Sequence, residues 1–225
     1  HKALGSRAKQ IGYPLEFDAT AGHSAGQLEA FEAAGAARFD EDILPVALAG
    51  SHYLHEHSQK NKGGLTAVFL GKNGSPEQFM ELKARLNYYG TMIALENTPT
   101  QFVIGGLEEG LAEAEAYMKE TGVKFSRIPK IEGPFHTTYV QEPSMQVKPL
   151  IDSTHFSYPK FQVWANSTGR MINSPEQFRA ESYFQIFMPV LWRQIIQNMI
   201  EQEGIGRFFV IDPSYDGEAP ISRTI

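Results

Sequence analysis

Gly22, His23, Ser24, Ala25 and Gly26 fit the pattern G-x-S-x-G, with a strand-like run before it and a helix-like run after it. A serine hydroxyl on a sharp strand-to-helix turn is a nucleophile in waiting, because the strained bend pushes the side chain out at the top of a sheet. Gly22 and Gly26 are read as the positions where a side chain would collide across that turn. The backbone N–H of Ala25 would open the helix, where it can meet a developing oxyanion. The pattern alone fits an ordinary glycine-rich turn equally well. The strand-motif-helix context is what favours the nucleophile.

A serine needs a base. The chain has seven histidines. His23 is next to the serine in sequence and reads as an elbow-packing residue that points away from it. His1 lies at the start of the chain, and His155 reads as a boundary or surface residue. His136, in "KIEGPFHTTYV", follows a Gly-Pro turn where the chain could return to the elbow, with Nε2 towards Ser24. It is the candidate general base. His52, His55 and His57 raise a metal reading, since His52 and His55 share a helical face. No HExxH pattern accompanies them, and a polar helix end is the better reading, so no metal site is assigned.

The elements that must position these groups follow from periodicity and punctuation. "LEFDATAG" reads as a strand into the elbow and "QLEAFEAAGAARF" as the helix after it. Residues 3–11 read as a short helix, and a further helix runs from about Ile43 to Ser58 with Asp40 as its cap. From 65 to 130 the order is strand, helix, strand, strand, helix, strand, which is the ferredoxin-like order. Ser75-Pro76 opens its first helix and Gly122 ends its second. Beyond it, "MQVKPLIDSTHF" is weakly helical, "KFQVWANSTG" is a strand and turn, and 175–187 and 190–203 are helical. "RFFVID" reads as a closing buried strand. Strands alternating with helices outside the insert argue for a parallel α/β core.

Composition sets the outer bounds. A chain of 225 residues, 42% hydrophobic, can bury a sizeable core. A balance of 20 basic against 26 acidic residues, net −6, argues against broad nucleic-acid binding. No apolar run is long enough to span a membrane. With no cysteine, disulfides, thiolate nucleophiles and cysteine zinc sites are excluded. No signal peptide is recognisable, and a cytoplasmic protein is expected. The abrupt opening "HKALGSRAKQIG" reads as mid-helix, as in a fragment of a longer chain.

Four stretches together resemble a known family, the malonyl-CoA:acyl carrier protein transacylases and the acyltransferase domains of polyketide synthases. They are "AGHSAGQLEAFEAAGA", "GPFH", "VWANSTGRMI" and "MPVLWRQII". The resemblance spans nearly the whole chain in order. It implies an α/β-hydrolase-like catalytic domain (1–63 and 131–225) and an inserted ferredoxin-like βαββαβ small domain (64–130). It implies acyl transfer from a CoA or carrier-protein thioester, through acyl-Ser24, to the phosphopantetheine thiol of an acyl carrier protein in polyketide or fatty acid biosynthesis. His136 would act as base and acid, oriented by a backbone carbonyl around Phe187 and Met188. No bound cofactor is implied, only acyl-CoA and phosphopantetheine-bearing substrates.

Three departures from the family pattern stand out. The Gly-Gln-Gly loop that supplies a second oxyanion donor would lie upstream of this chain. Gln27 stands where a glutamate is more usual. The arginine that clamps a malonyl carboxylate is replaced, with Ala49 at the matching place and no arginine between Arg38 and Arg85. Malonyl transfer is therefore expected to be weak or absent. Phe135, before the histidine, would narrow the pocket at the acyl α-carbon. Two alternatives stay open: a trans-acting hydrolase that clears acyl groups from carrier proteins, and a binding module that docks carriers without chemistry.

Overall fold

The computed structural model describes residues 16–71 and 74–211. The predicted helix at 3–11, His1 and the end of the predicted closing strand lie outside the described residues.

The larger lobe is built on a small sheet ordered β1-β6-β7. β1 (Ala19–Ala21) pairs parallel with β6 (Gln162–Trp164), and β6 pairs antiparallel with the short β7 (Met171–Ile172). Parallel pairing joins segments about 140 residues apart in the chain, so a crossover is required, and most of the molecule lies inside it. α1 (Gly26–Ala33) leaves the elbow and ends where Gly35, at φ 73°, lets Ala36 N–H reach back to Phe31 O. Phe31 then packs edge-to-face on Phe178 at 4.9 Å, within a cluster that includes Phe156, Val163 and Ile172.

The second helix begins within a residue of the expected Ile43, but Asp40 does not cap it. A π-helical turn at Phe39–Ile43 precedes α2 (Leu44–Lys60), and the residue that ties this turn down is Asp42. Its carboxylate accepts from the Arg38 backbone N–H and guanidinium, both at 2.9 Å. Asp42 is buried and Asp40 exposed.

Inside the crossover lies the predicted βαββαβ unit: β2 (Gly63–Phe69), α3 (Pro76–Asn87), β3 (Met92–Thr98), β4 (Gln101–Leu107), α4 (Glu108–Glu120) and β5 (Lys124–Arg127). Its strands form an antiparallel sheet in the order β3-β4-β2-β5, the ferredoxin-like arrangement. The Ser75 hydroxyl and the Gln78 side chain form the reciprocal cap that opens α3. Alternation divides the sheet cleanly. Val68, Phe102 and Ile104 face α3 and α4, while Leu65, Ala67 and Val103 face the larger lobe. There they share a core with Trp164, Val190, Trp192 and Ile195. β3 is also stitched to the larger lobe by main chain, with Glu96 N–H on Val190 O and Val190 N–H on Ala94 O, both 2.9 Å.

After the insert, α5 (Gln141–Ser153) packs on α2, and α6 (Pro175–Phe184) and α7 (Trp192–Glu201) follow β7. α6 stops three residues short of the predicted 187, because the chain turns there towards His136. The predicted strand "RFFVID" is not formed: residues 207–211 are irregular, with Phe209 and Ile211 exposed. Apolar composition proposes a strand, but only a free neighbouring edge makes one, and no pairing partner lies beside it among the described residues. No described helix is long and apolar enough to cross a membrane.

Candidate active site

Ser24 sits at the bend between β1 and α1 with φ 56°. This left-handed backbone is uncommon for a residue with a β-carbon and marks a strained, over-determined turn. Gly22 is what allows it: a Cβ there would come within 1.8 Å of Gly26 O. The expectation for Gly26 is corrected, since a Cβ there meets nothing within 4 Å. Gly26 already begins the helix and is clear of the crossing.

Ser24 Oγ and His136 Nε2 lie 2.7 Å apart, across 112 residues of chain. His136 also occupies a left-handed conformation, φ 59°, just after the Gly-Pro turn. Its backbone N–H reaches Ile186 O at 3.2 Å, and Nδ1 lies 2.8 Å from Gln185 O. A carbonyl can only accept, so Nδ1 carries the proton and Nε2 presents its lone pair to the serine. The orienting carbonyl therefore belongs to Gln185, a little before the expected Phe187–Met188, although the Met188 backbone also favours the charged imidazole. Burial outweighs these contacts and lowers the His136 pKa to about 4. At neutral pH the imidazole is an uncharged base.

The main chain of the elbow is accounted for group by group. Gly26 N–H bonds His23 O, and Gln27 N–H bonds Ser24 O. Ser24 N–H goes to the side chain of Asn166 at 3.1 Å. The Ala25 N–H has no acceptor among the described residues and stands at the N-terminal cap of α1, where a free N–H favours negative charge. His23 points away from the hydroxyl: Nε2 meets Asn97 Oδ1 of β3 at 3.0 Å, and the ring stands edge-on to Trp192. Burial pulls its pKa down.

Gln27 now has a physical account. It is fully buried, and its Oε1 accepts both the backbone N–H of Asn166, at 2.9 Å, and the Asn166 side-chain amide. The position calls for an acceptor, which the side-chain oxygen of either glutamine or glutamate can supply. The unused Gln27 Nε2 has no partner among the described residues.

Ala49 lies half-buried on a cluster of Val46, Val147 and Ile151, to which Tyr53, Tyr183 and Ile186 add. Ile186, which joins this cluster through its side chain, also accepts the His136 backbone N–H through its carbonyl. Phe135 is half-buried, and its ring folds back against Gly133, where a Cβ would come within 2.9 Å of it. His52 and His55 are on an outer helix face. Among the described residues no group of three or more His, Cys, Asp or Glu is placed to hold a metal ion.

Two residues of this region had no role in the sequence reading. Asn166 lies in the "VWANSTG" stretch, but its contacts reach 139 to 144 residues back. Glu181 is buried beneath the following turn, accepting from Ser167 N–H at 2.9 Å and from the Ser167 hydroxyl. Burial raises its pKa to about 6. Nothing in the helical pattern of "PEQFRAESYF" marks a buried carboxylate.

The fold is that of an α/β-hydrolase-like lobe carrying a ferredoxin-like insert, with a half-buried serine on a turn in hydrogen-bond contact with a buried imidazole. The relatives and structural neighbours of the chain are malonyl-CoA:acyl carrier protein transacylases and polyketide biosynthesis proteins. The chain is 27% identical over 213 residues to the malonyl CoA-acyl carrier protein transacylase of Bacillus subtilis, covering 94% of this chain and 65% of that protein. It is 31% identical over 188 residues to the polyketide biosynthesis protein ThaF of Burkholderia thailandensis, covering 84% of this chain and 16% of that protein. The chain thus spans less than two thirds of the length of these relatives. The structure of the malonyl CoA-acyl carrier protein transacylase from Coxiella burnetii superposes with a TM-score of 0.78 at 25% identity, over 90% of this chain and 63% of that one. No protein-family model matches the chain.

Proposed function

We propose that this chain is a serine acyltransferase that moves an acyl group between thioesters, with an acyl carrier protein as the acceptor, in polyketide or fatty acid biosynthesis. The observation that carries the reading is the 2.7 Å approach of Ser24 Oγ to a histidine whose other nitrogen is pinned by Gln185 O. In the first half-reaction His136 Nε2 takes the Ser24 proton as Oγ attacks the thioester carbon. The oxyanion forms beside the Ala25 N–H. On collapse the C–S bond breaks, and Nε2–H protonates the departing thiolate. The phosphopantetheine thiol of the carrier then gives its proton to Nε2 and attacks acyl-Ser24, returning the serine hydroxyl. The chemistry calls for no bound cofactor.

The acyl group is read as uncharged. Ala49 and its neighbours Tyr53, Tyr183 and Ile186 offer no planar cation to a malonyl carboxylate, and an unpaired carboxylate in such surroundings is costly. The test is intact-mass analysis after incubation with acetyl, butyryl and malonyl thioesters. The expected result is a stoichiometric adduct with the neutral acyl groups, absent in Ser24→Ala, that decays when carrier protein is added. Rapid malonyl loading would overturn the acyl assignment. Decay indifferent to the carrier would make water the acceptor and the protein an acyl hydrolase. No adduct with any thioester would leave a carrier-binding module.

A further inference from the structure

Asn166 stands at the end of β6, opposite the elbow, and is fully buried. Every polar group it has is engaged. Oδ1 accepts the Ser24 N–H at 3.1 Å, and Nδ2 donates to Gly22 O at 2.7 Å and to Gln27 Oε1. Its own N–H donates to Gln27 Oε1, and its carbonyl accepts from Leu191 N–H at 2.9 Å. One side chain therefore grips the residue before the bend, the nucleophile itself and the first turn of the helix after it.

Two consequences follow from which groups it takes. By holding Gly22 O and Ser24 N–H together, the amide fixes the peptides on both sides of His23; with Ser24 O held by Gln27 N–H at 2.9 Å, the two peptides that define the left-handed φ of 56° at Ser24 are both pinned. By consuming the Ser24 N–H and leaving the Ala25 N–H untouched, it sets which amide of the turn remains for an oxyanion. We propose that Asn166 is a positioning residue for acyl transfer, an amide clamp that holds Ser24 in register with His136. The inference rests on Ser24 being the nucleophile.

The geometry supplies an isosteric test. In Asn166→Asp one carboxylate oxygen still accepts from Ser24 N–H, but the other faces Gly22 O, acceptor against acceptor, where the wild type has a 2.7 Å hydrogen bond. The full chain and its N166D and N166A variants would be reacted with a fluorophosphonate, which labels an activated serine without needing the acyl pocket. The maximal labelling rate and the half-saturating probe concentration would be measured separately. In parallel, hydrogen exchange at the Ser24 amide would be followed by NMR, and melting temperature would report the fold.

The expected result is a labelling rate lower by about 10²-fold in both variants, as for a small misplacement of a reacting group. Half-saturation should be unchanged, the melting transition cooperative, and Ser24 amide protection lost in N166A. Labelling of either variant at the wild-type rate would overturn the clamp. So would failure of both variants to fold, which would give Asn166 a folding role alone. If the wild type itself is not labelled, the nucleophile reading fails, and amide exchange then decides the clamp: a Ser24 N–H equally protected in wild type and N166A would refute it.

Discussion

His136 donates its Nδ1 proton to the backbone carbonyl of Gln185 at 2.8 Å, and this single contact decides which face of the imidazole Ser24 meets. An aspartate at that place would add a negative charge and raise the imidazole pKa. A carbonyl orients the ring while leaving it easy to keep neutral. Buried as it is, His136 falls to about 4, well under its ordinary 6.5.

The pH profile should show this. In the proposed mechanism acylation of Ser24 requires neutral His136, so its rate should hold from pH 7 down to the neighbourhood of pH 4 and fall below that. Rates of fluorophosphonate or acetyl-thioester labelling across pH 3.5–7.5 measure it directly. A break near 6.5 would mean that the imidazole is far more solvated than its place in the fold allows. His136→Ala should slow labelling by roughly 10²–10⁴-fold at neutral pH.

The two glycines of the elbow should behave oppositely. Gly22→Ala forces a Cβ to within 1.8 Å of Gly26 O, a backbone atom that cannot step aside, so the variant should unfold or melt far below wild type. Gly26→Ala adds a methyl in open space at the first position of α1 and should be neutral or stabilising, by up to about 1 kcal/mol from helix propensity. Thermal melts of the two variants are sufficient. Equal losses would show that the turn relaxes around either side chain.

Ala49→Arg tests the acyl assignment. A guanidinium placed on the Val46–Ile151 surface should raise the ratio of malonyl to acetyl loading by roughly tenfold or more, the scale of one charge-assisted contact. Competition between the two thioesters, read by intact mass, gives the ratio in one tube. An unchanged ratio in a folded variant would show that residue 49 does not face the acyl group.

Glu181 and His136 oppose one another in the pH dependence of stability. The Glu181 pKa is raised from 4.5 to about 6, so the stability it confers is present below 4.5 and is lost as pH rises through 6. His136 is lowered from 6.5 to about 4, so its contribution is full above 6.5 and is lost as pH falls towards 4. Glu181→Gln removes only the first effect. The stability difference between E181Q and wild type should therefore move in favour of the variant by about 2 kcal/mol between pH 4 and pH 7. Denaturant titrations at the two pH values measure it, and a difference independent of pH would show that Glu181 titrates normally.

Much of this was legible in sequence because it depends on local pattern. The ferredoxin-like order emerged from the β-branched and aromatic content of "LTAVFLG", the tight Thr98-Pro99-Thr100 connection before "QFVIGG" and the Ser75-Pro76 cap, each a short-range signal. Ser24 was marked by its flanking glycine and His136 by the turn before it. What stayed hidden depends on distant groups or on main chain. Gln185 acts through a carbonyl that any residue would provide, so its identity carries no trace of the role. Asn166 acts across a parallel strand pair that no local periodicity registers. Asp40 caps nothing because a π-helical turn, tied by Asp42 to Arg38, stands between it and the helix, and no α-helical capping pattern anticipates such a turn. The strand expected at "RFFVID" failed for want of an edge, a property of the neighbourhood rather than of the segment.

Both members of the hydrogen-bonded pair hold a backbone shape that costs an L-residue roughly 1–2 kcal/mol, Ser24 at φ 56° and His136 at φ 59°. Nothing local favours these shapes; the surrounding fold imposes them. Any loosening of that fold is therefore felt first at these two residues, which can relax independently while the cores of both lobes stay intact. Heat should silence this protein before it melts it, with labelling of the serine fading several degrees below the transition seen by circular dichroism.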